Sequence, residues 1–202
     1  MTAQSKERLE QTIATYDLLA SLFLTLPDEE LVRSVLAGEF EDETGSAGLD
    51  EIARWGREQR DANPEDVLLD LARDRVVLMR GVNREGMQPP YESLYLGQKE
   101  NTTIGSLNRF YGSCGYTLTD EVKDAPDQVG VEIAFAQLVL EQELAALADG
   151  NLEQATELEA LYRSFLSQHL GRWASRYGTQ MAKTATTGFY RGIGLLLAET
   201  FS

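Results

Sequence analysis

Apolar residues in this chain recur at steps of three and four through segment after segment, and no run alternates with period two for long enough to propose a strand. That periodicity commits the chain to helices. Ile13, Tyr16, Leu19, Ala20, Phe23 and Leu24 share one face of an opening helix that must stop at Pro27, and Asp28 starts a second carrying Leu31, Val32, Val35 and Leu36. Residues 39–48 read as an acidic, glycine-containing loop, and Leu49, Ile52 and Trp55 as a third helix. Asn63-Pro64-Glu65-Asp66 is a good cap for a fourth, with Val67, Leu68, Leu71, Val76 and Met79. Ile104, Leu107, Phe110 and Tyr111 predict a short helix stopped at 112–115. After a polar connector over 116–125, Asp124-Ala125-Pro126-Asp127 opens a long helix striped by Val129, Ile133, Ala136, Leu140, Leu144 and Leu147 and closed by Asp149-Gly150. Residues 152–173 read as one further helix, and Phe189, Tyr190, Ile193, Leu196 and Leu197 as the last. The expected fold is all-α: a single globular helical domain of about 8–10 helices, divisible into an N-terminal lobe near 1–115, a hinge at 116–126 and a C-terminal lobe over 127–202.

One stretch interrupts the helices. Residues 81–103 read as a long loop, a length that is usually functional or mobile, and it holds Met87-Gln88-Pro89-Pro90-Tyr91-Glu92-Ser93-Leu94-Tyr95-Leu96-Gly97. Adjacent prolines fix φ and delete two backbone donors, so no helix runs through them, and Gln88 is biased toward extended geometry. If the chain after Pro90 stays extended, Tyr91, Ser93 and Tyr95 point to one side and Glu92, Leu94 and Leu96 to the other. Two readings follow: a small recognition surface, or a connector that both tyrosines pin onto the helices beneath.

Acidic residues outnumber basic ones 33 to 18, for a net charge of −15. Nucleic acid is therefore a poor partner, since phosphate binding needs clustered Lys and Arg, whereas a basic peptide suits the balance. Cys114 is the only cysteine, which excludes an intrachain disulfide and fits a reducing compartment. The apolar stretch at 18–26 is preceded or entered by Glu7, Glu10 and Asp17 and fits a helix face, so it reads as core and not as an export signal. No segment approaches the length of apolar chain that a membrane span needs, so stable membrane insertion is not expected.

Signals for catalysis are sparse. With His169 as the one histidine, neither a Ser-His-Asp triad nor a multi-histidine zinc site can be assembled in the usual form. His169 lies on an apolar stripe between Phe165 and Trp173 and reads as a packing residue, and Cys114 reads as an inert, partly buried thiol. There is no Walker A sequence and no G-x-G-x-x-G after a strand. Pairs such as Glu141 with Glu143 or Glu157 with Glu159 sit on solvated faces and lack the Glu-x-x-His pattern of di-iron bundles. No cofactor or metal is expected.

Three separated motifs, in order and spacing, resemble the TorD/DmsD/NarJ family of redox-enzyme maturation chaperones. They are Pro89-Pro90-Tyr91-Glu92-Ser93-Leu94-Tyr95, the helix start Ala125-Pro126-Asp127-Gln128-Val129-Gly130-Val131-Glu132-Ile133-Ala134-Phe135, and Phe165-Leu166-Ser167-Gln168-His169-Leu170-Gly171-Arg172-Trp173 followed by Phe189-Tyr190. The resemblance implies a cytoplasmic all-helical chaperone, not an enzyme. Its partner is the signal peptide and apo form of a molybdopterin-dependent oxidoreductase, bound through a twin-arginine leader or equivalent terminus and held for cofactor insertion. It implies peptide binding at Pro89, Pro90, Tyr91, Ser93 and Tyr95, and at Pro126 and Asp127. Where the family commonly has histidine, this chain has Gln128, which can donate and accept hydrogen bonds but cannot take up a proton near neutral pH. A leader with two arginines and an apolar stretch calls for carboxylates beside an apolar groove, and Asp127 and Glu132 are candidates for the charged part. Asp127 would also suit the first turn of its helix on dipole grounds alone. The protein is expected to be a monomer or homodimer. The competing reading is a small helical enzyme or ligand-binding protein using a pocket beneath the 87–97 loop.

Overall fold

A computed structural model of the chain describes residues 3–40, 44–81, 87–118 and 125–202. Among these residues there are ten α-helices and no strand. They are α1 (Ala3–Leu24), α2 (Glu29–Ala37), α3 (Ala47–Gln59), α4 (Pro64–Arg80), α5 (Glu92–Leu96), α6 (Glu100–Ser113), α7 (Val129–Ala148), α8 (Leu152–Gln168), α9 (Ala174–Thr184) and α10 (Gly188–Thr200), with a 3-10 turn at Leu170–Arg172. The all-α expectation holds. No helix among the described residues is long and apolar enough to cross a membrane.

The helices form two compact units, Met1–Leu24 with Leu96–Arg172, and Thr25–Tyr95 with Trp173–Ser202. Each is assembled from two separate pieces of chain, so the units differ from lobes cut at 116–126. Of that hinge, residues 119–124 lie outside the described residues, as do 41–43 of the acidic loop and 82–86 of the long loop.

In the first unit α7 is the central element, packed against α1 and α8. It is apolar on more than one face: Val129, Ile133, Ala136, Val139 and Leu140 are buried, and so are Val131 and Phe135. Helices of that kind are stable only when surrounded. Phe135 sits in an aromatic cluster, its ring centroid 4.6 Å from Tyr111, 4.7 Å from Phe165 and 5.2 Å from Tyr116. His169 joins this cluster edge-on to Phe110 at 5.5 Å and is buried, in keeping with a packing role. Across the unit the Tyr16 and Tyr162 hydroxyls share a hydrogen bond of 2.6 Å, and burial pushes the Tyr16 phenol well above its ordinary range.

In the second unit α10 packs against α3 and α9. The α9–α10 approach is close enough that a Cβ built on Gly178 would fall 2.6 Å from the Gly194 carbonyl oxygen and 2.7 Å from the Ala198 nitrogen. Only glycine fits there. Asp74 on α4 fastens the start of α10: its buried carboxylate accepts from the backbone of Thr186 (3.1 Å) and Thr187 (2.8 Å) and from the Thr187 hydroxyl (2.7 Å). That hydroxyl in turn caps α10 by accepting from Tyr190 N at 3.3 Å.

Two stretches differ from the sequence reading. The extended alternation after Pro90 does not occur: Glu92–Leu96 is helical, with Leu94 N and Tyr95 N both bonding back to the Tyr91 carbonyl, and α6 already begins at Glu100. Prolines bar a helix from passing through them but leave the residues after them free to start one. The helix expected over 152–173 ends at Gln168, because His169 adopts φ −128° and ψ −103°, and Ala174–Thr184 forms a separate helix outside the expected elements.

Candidate functional site

The nine residues assigned from sequence fall in both units. In the second unit, Gly81 (φ +65°) ends α4 and a Cβ there would meet Pro89 Cδ at 2.8 Å and Met87 O at 2.9 Å, so the chain returns to the end of α4 at Pro89. Pro89 and Tyr91 are partly exposed, whereas Pro90, Ser93 and Tyr95 are buried. The Tyr95 hydroxyl lies 2.8 Å from Gln180 Oε1 and 3.1 Å from the Gln88 carbonyl oxygen. Its ring is flanked by Trp173 at 5.4 Å and Tyr177 at 5.6 Å, and the Arg176 guanidinium stands 5.2 Å from its centroid. Burial drives its phenol above the ordinary range, opposed by Arg176. The cation on Tyr95 therefore belongs to the chain itself, and this ring secures α5 to α9.

In the first unit, Pro126, Asp127 and Gln128 lead into α7, and the Tyr111 hydroxyl donates to the Pro126 carbonyl at 3.2 Å. Asp127 (1% exposed), Gln128 (3%) and Glu132 (0%) are all buried, so three polar side chains gather at one helix start away from water. Gln128 is the cap: its Oε1 accepts from Gly130 N and Val131 N, while its Nε2 donates to the Phe23 carbonyl at 3.3 Å.

Immediately along α7 an apolar cavity of about 240 Å³ opens, walled by Leu24, Tyr111, Tyr116, Val131, Phe135 and Leu138, with Thr117, Leu118 and Ala134 completing it. Leu138 and Leu118 remain 45% and 38% exposed at its edge. None of these residues was singled out as a binding residue from sequence. The signal was present: Val131, Ala134, Phe135 and Leu138 repeat at three, four and seven on α7 beside the stripe that was read as core. A helix with a second apolar stripe left partly exposed marks a place for something else to pack. At the far end of α7 a more open, polar cleft of about 620 Å³ is lined by residues including Arg8, Glu143, Glu159, Tyr162 and Arg163. The Glu143 carboxyl there is pushed above its ordinary range by burial and by Glu159, with Arg163 opposing. No group of three or more metal-ligating side chains occurs among the described residues.

Over the described residues the protein is all-helical, with an apolar cavity along α7 of its first unit. Residues 41–177 match the nitrate reductase delta subunit family. The chain belongs to that family, the NarJ/TorD-type chaperones. Among curated proteins it is similar to the chlorate reductase assembly chaperone protein of Ideonella dechloratans, 31% identical over 112 residues, which are 53% of this chain and 56% of that one. It is also similar to the selenate reductase assembly chaperone protein of Thauera selenatis, 30% identical over 112 residues with the same shares. The alignments span about half the length of these relatives. No solved structure matches the chain.

Proposed function

We propose that this protein is a cytoplasmic, non-catalytic assembly chaperone that grips an apolar-and-basic terminal segment, of the twin-arginine leader type, on the catalytic subunit of a molybdopterin-dependent oxidoreductase. In doing so it holds that subunit for cofactor insertion. The observation that carries this reading is the apolar cavity on α7, edged by half-exposed Leu138 and Leu118 and set beside the buried polar start of the same helix. Its volume suits one or two aliphatic side chains of a bound peptide, whose burial supplies affinity at roughly 1.5–3 kcal/mol per side chain. The cavity takes none of its walls from residues 87–97. The chain's net charge of −15 attracts a basic segment and repels nucleic acid. Family membership and the reductase-assembly names of both relatives support a reductase as client.

Of the residues assigned from sequence, Pro126 in the first unit keeps exposed surface while Asp127, Gln128 and Glu132 are buried at the start of α7; in the second unit Pro89 and Tyr91 keep exposed surface while Pro90, Ser93 and Tyr95 are buried. Calorimetric titration with the leader of a reductase encoded beside this chain tests the reading. Binding at micromolar affinity or tighter that weakens when the arginine pair becomes Lys-Lys, and again when the apolar stretch becomes Ser and Gly, is the expected result. Equal or absent binding of all three peptides refutes it.

A further inference from the structure

We infer that Gln128 is a positioning residue that sets the shape of the α7 cavity by clamping its two walls together, an inference that rests on the reading of that cavity as the client site. A helix leaves its last carbonyls and its first amides without intrahelical partners. The chain here solves both problems with one side chain: the Gln128 amide oxygen takes the Gly130 and Val131 N–H groups of α7, and its amide nitrogen serves the Phe23 carbonyl in the final turn of α1. The residues so held are the walls themselves. Val131 lines the cavity, and Leu24, next to the tied carbonyl, lines it from the other side.

Geometry leaves no slack in this arrangement. A Cβ on Gly130 would fall 2.9 Å from Phe23 Cβ and 3.0 Å from Leu24 Cγ, so the end of α1 rests directly on the α7 backbone. Gln128 is buried, so when either bond is lost no water stands ready to replace it. The chemistry is also narrow. Ser, Thr or Asp would cap α7 but are too short to reach α1, and Glu caps it but has no hydrogen to donate to Phe23. A glutamine performs both tasks without changing charge.

Gln128→Glu separates the two tasks, since a carboxylate keeps the cap and loses the tie. Backbone amide exchange and calorimetry with the synthetic twin-arginine leader are read on the same full-length variant. Expected are Gly130 and Val131 amides protected as in the parent, amides of residues 21–24 exchanging about tenfold faster, and peptide affinity lower by about tenfold, the effect of one buried hydrogen bond. A merely structural cap predicts no such split. Gly130→Ala, whose Cβ would stand 2.9 Å from both Gln128 Oε1 and Phe23 Cβ, strains the same clamp without removing the glutamine; it is expected to weaken the peptide likewise, and it serves as the second variant if Gln128→Glu fails to fold. The inference is overturned if residues 21–24 exchange unchanged in Gln128→Glu, or if they loosen and the peptide still binds as tightly as to the parent. Should the parent bind no peptide, the client reading falls by itself, and exchange at 21–24 still decides the clamp.

Discussion

Leu138→Ala is the sharpest perturbation of the proposed grip, because Leu138 lies on the cavity's edge and 45% of it is still exposed. Fully burying a leucine side chain contributes about 1.5–3 kcal/mol. Roughly half of that has already been realised against the chain itself, leaving about 0.7–1.4 kcal/mol to be gained when a client side chain covers the rest. Truncation to alanine removes most of this remainder, so the dissociation constant of the leader peptide should rise about 3- to 10-fold. The matched control is Leu152→Ala on α8, whose leucine is 65% exposed and takes no part in the cavity. It should leave binding unchanged. Calorimetry on both variants, with thermal melts to show that each remains folded at the assay temperature, decides the matter. Equal losses in the two variants, or none in Leu138→Ala, would refute the assignment of the cavity as the contact surface.

Three further outcomes follow from the packing. Asp74→Ala strands the Thr186 and Thr187 amides and the Thr187 hydroxyl and should cost about 3 kcal/mol in urea unfolding; a loss under 1 kcal/mol would show that this cap is dispensable. Tyr95→Phe keeps the ring contacts and the Arg176 cation but loses the hydroxyl contacts to Gln180 and Gln88, so the unfolding free energy should fall by about 1 kcal/mol with peptide affinity unchanged. The Glu143 carboxyl is raised in the folded state, so the fold binds that proton more tightly than the unfolded chain does, and the resulting stability is present at acidic pH and lost as pH rises through the raised value. Glu143→Gln should therefore stabilise the protein near neutral pH, by about 0.5 kcal/mol or less because the group is only partly buried and is screened by solvent, and should do nothing below the ordinary carboxylate range; destabilisation at neutral pH would contradict this.

The helical class of this fold was legible because three-and-four periodicity is written by the burial of one face, and each unit buries its helices in that way. Caps were legible for a similarly local reason: Asp28 and Asn63 bond to amides within three residues of themselves. What escaped was set by longer-range packing. The break at His169 follows no proline, and α9 carries its apolar Tyr177 and Met181 among Arg176, Gln180 and Lys183, so its stripe is too thin to stand out. The extended reading of 91–96 failed because a pair of prolines restricts the residue before it far more than those after it.

The candidate site was half legible. At its buried polar helix start, Asp127 and Glu132 are the carboxylates the sequence offers to client arginines and Gln128 a hydrogen-bonding residue, and all three are buried. Tyr95, where the family resemblance implies peptide binding, lies under the chain's own Arg176. The apolar cavity was hidden because Leu24 comes from a helix more than a hundred residues earlier in the sequence than the rest of its walls on α7, and nothing in a single sequence reports such a meeting.

Backbone amide exchange on the free protein and on its complex with the leader peptide tests the central claim most directly. The account predicts slowed exchange concentrated at residues 111–118 and 131–138, the two segments that wall the cavity with Leu24. Protection confined to other parts of the chain, with these two segments unchanged under saturating peptide, would contradict it.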